Sequence, residues 1–197
     1  TKAIELATPL LQQEEYQLKA YLLIIDSYYQ LEYYSTCFEY VEILYQQNPR
    51  HFQASYWKSV QLNYEKKYSK AYEILDMLSK TYTNFVPILI EESNLFQGIN
   101  HTYAIQSNLK SAVARSEWYD EAIGQLALFR ACYLPDKFNL EETLSVAEKP
   151  NMPKMLYYVG CIYGEVYQDY EKAIEYLQKS AIRFPEHIPT KIKLALF

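Results

Sequence analysis

Glycine is almost missing from this chain: 197 residues contain four, at 98, 124, 160 and 164, against 22 tyrosines. Strands and tight turns draw on glycine while packed helices do without it, so the composition points to an all-α protein. Long apolar runs are missing as well. The longest, such as Tyr21 to Ile25 and Val86 to Ile90, fall far short of the roughly 20 residues a bilayer span requires, and no membrane span is expected. Basic clusters are also lacking. The net charge is −5, no five-residue window is dominated by Lys or Arg, and a phosphate backbone would need a basic face, so no direct nucleic-acid partner is expected. Cysteine is scarce: Cys37, Cys132 and Cys161 stand far apart with no CxxC pair. Free thiols in odd number fit a reducing compartment, and the expected location is cytoplasmic. What is abundant is apolar material, 50% of the residues, ample for a core at this length.

The chemistry of catalysis is short of raw material too. The three histidines, His51, His101 and His187, form no pair at the three- or four-residue spacing of a helical metal site. Adjacent acids at Glu14 and Glu15, Glu91 and Glu92, and Glu141 and Glu142 diverge by about 100° around a helix, whereas a general acid and base must converge on one atom. They read as solvated helix faces or partners of helix N-terminal dipoles. No GxGxxG, GxxxxGK[ST] or GxSxG occurs. Gly160 and Gly164 form a GxxxG in a polar helix, which reads as close packing of a neighbouring helix. Asn100, His101 and Thr102 make a three-residue glycosylation sequon of the kind common by chance. No enzyme activity, cofactor or metal is expected.

A repeat supplies the positive evidence. From Leu18 to His51, Tyr21, Ile24, Ile25 and Tyr28 fall on one face of a first helix, and Tyr34, Cys37, Val41 and Leu44 on one face of a second. Asn48 and Pro49 end it, because proline brings no backbone donor. Tyr68, Ala71, Leu75 and Leu78 repeat the second-helix residues at an offset of 34, with Trp57 and Leu62 on the helix before. Tyr119, Ala122, Leu126 and Phe129 give the spacing again, followed by Pro135. Leu156, Val159, Gly160 and Tyr163, then Tyr170, Ala173, Leu177, Ala181 and Pro185, form the clearest copy.

This pattern resembles the tetratricopeptide repeat (TPR) family: a bulky residue, a Leu–Gly-like pair and Tyr on the first helix, then small, bulky and small residues on the second before Pro. Ile24 and Ile25 stand for the pair, Cys37 for the first small residue, and Leu44 replaces the second. The resemblance implies an all-α, right-handed α-α superhelix, a TPR-like solenoid of antiparallel helix hairpins. Residues 1–17 are read as the second helix of a preceding repeat, with Ala3, Ala7 and Leu10 in its register. Units follow at 18–51 and 52–85, an irregular extra helix at 86–102, a unit at 103–136, an insertion with a short helix at 137–153, and a unit at 154–187. Within the insertion, Asn139 and Glu142 have capping-box spacing. Residues 188–197 begin a further unit, with Leu194 and Ala195 as its Leu–Gly-like pair. A pairing of 87–97 with 101–116 as one hairpin is an open alternative. Because an uncapped solenoid end exposes an apolar face, further repeats of the same chain, or neighbours covering those faces, are expected at both ends.

The resemblance also implies a use: in this family the concave wall of first helices receives a peptide or helix from a protein partner. A non-catalytic protein–protein interaction scaffold or adaptor segment is therefore expected. Carried over residue by residue, the partner-binding positions are Asp26, Tyr29, Tyr56, Trp57, Asn63, Asn108, Arg115, Tyr157 and Tyr158, within a wall that also includes Gln30, Val60, Tyr64, Ser107, Ser111, Cys161 and Glu165. Aromatic side chains dominate binding hot spots, which puts Tyr56, Trp57 and Tyr157 first. Against this, tyrosines of a packed array also fill inter-helix layers with the hydroxyl at solvent. Leu22 and Asp26 stand where carboxylate-binding members of the family carry a basic clamp, so an acidic chaperone tail is not the expected ligand. Two other uses are the alternatives. One is a peptide-sensing bacterial regulator with a TPR-like receptor domain, which the stretch Tyr157 to Ala181 resembles. The other is a helical-repeat surface glycan-binding protein, with Trp57 and Trp118 stacking on sugars.

Overall fold

A computed structural model describes residues 2–117 and 119–197; Trp118, one of the two tryptophans assigned to sugar stacking, lies outside the described residues. All regular structure among the described residues is helical, and it divides into two compact units, residues 1–100 and 101–197.

The first unit opens with α1 (Lys2–Ala7), a 3-10 segment (Thr8–Gln12), and α2 (Glu14–Gln30). Then come α3 (Tyr34–Gln47), α4 (Phe52–Tyr64), α5 (Tyr68–Thr81) and α6 (Val86–Gly98). Each helix packs on the next, and α6 also lies against α4. No hairpin buries its apolar stripe alone. Tyr21 and Ile25 of α2 meet Cys37, Phe38, Val41 and Leu44 of α3 and Ala54 of α4. Leu62 of α4 joins Ala71, Leu75 and Leu78 of α5 and Ile88 and Leu95 of α6. The spacing of three and four residues therefore produces a core shared by successive helices, the physical basis of stacking.

The second unit comprises α7 (Thr102–Arg115), α8 (Asp120–Tyr133), α9 (Leu140–Ala147), α10 (Met155–Cys161), α11 (Tyr170–Arg183) and α12 (Ile188–Leu196). A π-turn, Ile162–Val166, continues α10. Local capping sets several starts: Asn139 Oδ1 accepts from the Glu142 amide at 3.1 Å, the contact its spacing anticipates, and Asp169 Oδ1 accepts from the Lys172 amide at 3.1 Å. His101 Nδ1 does the same for Ala104, at 3.3 Å. The two glycines of the GxxxG are filled from outside: a Cβ at Gly160 would meet Leu177 of α11, and one at Gly164 the ring of Phe197.

The scarcity of glycine shows in the turns. Glu32, Lys66, Asn100 and Gln168 hold left-handed backbone, with φ of 59, 61, 56 and 56°. Around Lys66, the Lys67 amide donates to the Leu62 carbonyl at 2.8 Å and the Lys66 amide to the Asn63 carbonyl at 2.9 Å. That is a Schellman motif, whose usual occupant is glycine. A left-handed L-residue costs roughly 1–2 kcal/mol, part of which glycine forfeits through its freer unfolded chain. Lys66→Gly is therefore expected to raise stability by about 1 kcal/mol in urea unfolding, and Lys66→Ala to leave it unchanged. A loss on Lys66→Gly would show that no strain resides there.

These turns also give a register. Residues 32, 66 and 100 are 34 apart and 168 is twice that interval on, and helices of 14 residues begin two positions later, at Tyr34, Tyr68, Thr102 and Tyr170. Phe52, Val86 and Asp120 open the other helices at the same interval. Residues 86–102 and 137–153, set aside in the sequence as an extra helix and an insertion, fall within this period. We therefore propose that the 34-residue period runs on through residues 86–153, with α8 in the first-helix place rather than the second. Small and bulky residues at three- and four-residue spacing occur on both helices of a hairpin, and only the turn geometry tells them apart.

Candidate binding surface

In the first unit, ring contacts and hydrogen bonds join successive first helices. Tyr29, in the last turn of α2, meets the edge of Trp57 on α4 with centroids 5.2 Å apart. Trp57 in turn meets Tyr56 at 5.8 Å, and Tyr56 meets Phe85 at 5.5 Å, just before α6. Tyr34 adds a ring 5.5 Å from Tyr29 and 4.8 Å from Tyr64. Tyr29, Tyr56 and Trp57 are half-buried, so each ring is held on one side and presents part of itself outward. Asp26 is exposed one turn before Tyr29.

Two turns beyond Tyr56, Asn63 Nδ2 donates to Glu91 Oε1 of α6 at 2.7 Å, while Asn94 Nδ2 donates to Glu91 Oε2 at 3.3 Å. Glu91 and Glu92 are both buried, which corrects the solvated face read from the sequence. Burial pushes the Glu91 carboxyl up, and the two amide donors only partly oppose it. The signal lay in the run from Val86 to Ile90, apolar at every position, which leads directly into these two residues.

The second unit treats its predicted residues differently. Tyr157 is half-buried, its ring 4.9 Å from His187 and 5.1 Å from Tyr158. Burial, then its hydrogen-bonded neighbour Cys161, pushes its hydroxyl up. Tyr158 is buried. Its hydroxyl donates to Glu121 Oε1 at 2.5 Å, and its ring covers Gly124 so closely that a Cβ there would stand 1.9 Å from a ring carbon. Tyr158 is thus a packing residue between α8 and α10, a correction to its reading as a partner contact. Val60 and Cys161 are buried as well, and burial pushes the Cys161 thiol up to about 12. Asn108 is half-buried on α7, and Arg115 is exposed in its last turn.

Lys154 completes the Tyr158 site: its Nζ lies 2.6 Å from Glu121 Oε2, and its amide donates to Asp120 Oδ2 at 2.9 Å. None of this was legible in the sequence, because Asp120 and Lys154 are one period apart and only stacking makes them neighbours. His187 is likewise a structural residue, its Nδ1 2.7 Å from Thr190 Oγ1, which in turn lies 3.1 Å from Ser180 Oγ. Among the described residues no group of three or more His, Cys, Asp or Glu could hold a metal ion, and no helix is long and apolar enough to cross a membrane.

No family model and no curated protein matches the chain. Solved structures do. A thermophilic TPR protein from Thermus thermophilus superposes with a TM-score of 0.72 at 15% identity, over 90% of this chain and 97% of that one. A TPR protein from Parabacteroides merdae gives 0.69 at 16% identity, over 99% and 76%. YrrB, a TPR protein described as having an unusual peptide-binding site, gives 0.50 at 16%, over 95% and 97%. At such identities the likeness concerns the fold. Helix order, shared cores and this likeness together establish that the chain has the tetratricopeptide-repeat fold.

Proposed function

We propose that the chain is a non-catalytic scaffold or adaptor segment, and that first helices α2, α4 and α6 hold an extended peptide or a helix from a protein partner. The observation that carries this is the series Tyr29, Trp57 and Tyr56, half-buried rings packed edge to face. Rings already fixed by their neighbours lose little entropy on binding and offer large contact area. Asp26 and Asn63 supply polar contacts beside them, and Tyr157, Asn108 and Arg115 a second set on the other unit. The peptide-binding site described for YrrB supports the same use of the fold. Further repeats of the same chain at both ends, and a cytoplasmic location, belong to this reading; it invokes no cofactor.

The test is capture of partners from lysate by the immobilised chain and by its Tyr56→Ala/Trp57→Ala variant, with circular dichroism as a check on folding. Hot-spot truncation costs about 2 kcal/mol or more, so at least about a 30-fold loss of affinity is expected with helicity retained. Since Trp57 also packs on the core, Tyr64→Ala, at an exposed ring of the same series, serves where the double variant unfolds. Undiminished recovery by a folded variant would remove the proposal.

A further inference from the structure

The stretch that follows α8 departs from the period, and the departure leaves an opening. Position 134 corresponds to Glu32, Lys66, Asn100 and Gln168, whose backbones are left-handed. Here proline follows, and the ring of Pro135 disfavours helical backbone at the residue before it. Leu134 instead has φ −141° and ψ 60°, neither left-handed nor helical. The chain passes through a 3-10 turn, Pro135–Lys137, and α9 starts late, at Leu140, and runs for only 8 residues. A second irregularity faces it, the π-turn Ile162–Val166, a rare form met often at functional sites. Between the two lies a cleft of about 600 Å³ whose lining includes Phe138, Leu140 and Tyr167 together with Asp136, Lys137 and Glu141. That volume falls in the range of small-ligand sites, about 300–1,000 Å³. No ion pair among the described residues engages those three charges.

We propose that this cleft binds a cation on an apolar stem, a guanidinium or ammonium at the end of an aliphatic chain. Two carboxylates against one ammonium give the opening a net negative charge, which opposes an anion. An apolar ligand without charge would dehydrate all three charged groups with nothing in return. An aliphatic stem lies well along Leu140 and the rings, and a cationic head is attracted by both the carboxylates and the ring faces of Phe138 and Tyr167. An arginine or lysine side chain of a partner polypeptide has this chemistry, and so does a free small cation. The inference does not rest on the partner wall of α2, α4 and α6.

Titration of the isotope-labelled full chain, followed by amide NMR, separates the outcomes. Agmatine is the free cation on a stem, acetyl-Gly-Arg-Gly-amide carries the same head on a peptide, and guanidinium chloride is the head alone. Saturable shifts confined to residues 131–141 and 166–167 are expected with agmatine or with the peptide, at least ten-fold weaker with guanidinium chloride. The tighter of the two stemmed probes identifies the source as free or peptide-borne. The Asp136→Asn/Glu141→Gln variant, altered only at exposed positions, is expected to lose at least ten-fold in affinity, and 0.5 M salt to weaken binding by screening. Absent shifts, shifts scattered over the acidic surface, or a variant that binds as the natural chain does would each overturn the inference.

Discussion

Glu121→Ala is expected to destabilise the chain by about 1–3 kcal/mol, the usual cost of leaving the donors of a half-buried carboxylate unpaired. Three donors converge on that carboxylate: Lys154 Nζ at 2.6 Å, the Tyr158 hydroxyl at 2.5 Å and Gln125 Nε2 at 3.1 Å. Alanine would leave the ammonium and the hydroxyl without partners between α8 and α10. The contrasting pair, Lys80 with Asp76 on α5, has its lysine in solvent, and Asp76→Asn should have little effect because water screens it.

The same site predicts a pH dependence. Burial, the largest influence, raises the Glu121 carboxyl, but the Lys154 charge and the hydrogen bonds from Lys154, Tyr158 and Gln125 outweigh it and hold the group below the usual range. An unfolded glutamate titrates near about 4.3. The contribution of the pair is therefore complete above that value and lost as pH falls through the lower folded one. In the difference between the natural chain and Glu121→Ala, the stability gap should narrow on acidification below about pH 4. A flat difference across that window, or a cost under about 1 kcal/mol, would show that the pair makes no net contribution.

Leu44→Ala is the second large effect, at about 2–5 kcal/mol, with its neighbour Ile43→Ala within roughly 0.5 kcal/mol of the natural chain. Family resemblance argues the opposite for Leu44: a small residue belongs at that place in the TPR pattern, so alanine would restore it. The structure decides against tolerance. Leu44 is wholly buried in a cluster with Tyr21, Ile25, Cys37, Phe38, Val41 and Ala54, whereas Ile43 is 42% exposed. The surroundings of Leu44 have the shape of leucine, and truncation leaves a cavity that close-packed helices only partly refill. Chemical denaturation of both variants measures this, and equal midpoints would refute it.

Much of the helix inventory was legible because it depends on short-range periodicity. Tyr21, Ile24 and Ile25, and Cys37, Val41 and Leu44, were picked out by spacing alone and are buried. Asn139 was legible as a cap because its contact spans three residues. The register proposed for residues 86–153 differs from the one read in the sequence, because the left-handed backbone at Asn100 leaves no mark in a pattern of apolar positions. Of the tyrosines and tryptophan placed on the candidate surface, Tyr29, Tyr56 and Trp57 pack against one another, while Tyr158, identical in kind to Tyr157, turns inward to Gly124 and Glu121.

By itself the sequence determined that the chain is helical, that its helices come in hairpins about 34 residues apart, and which stripe of each helix is apolar. These follow from backbone geometry and proline chemistry acting over a few residues. Tertiary structure alone decided which tyrosines are surface and which are core, that Glu91 and Glu92 are enclosed, and that Glu121 meets Lys154. Those outcomes depend on which helix stacks against which, and residues a full period apart acquire their environment only once the neighbouring hairpin is in place.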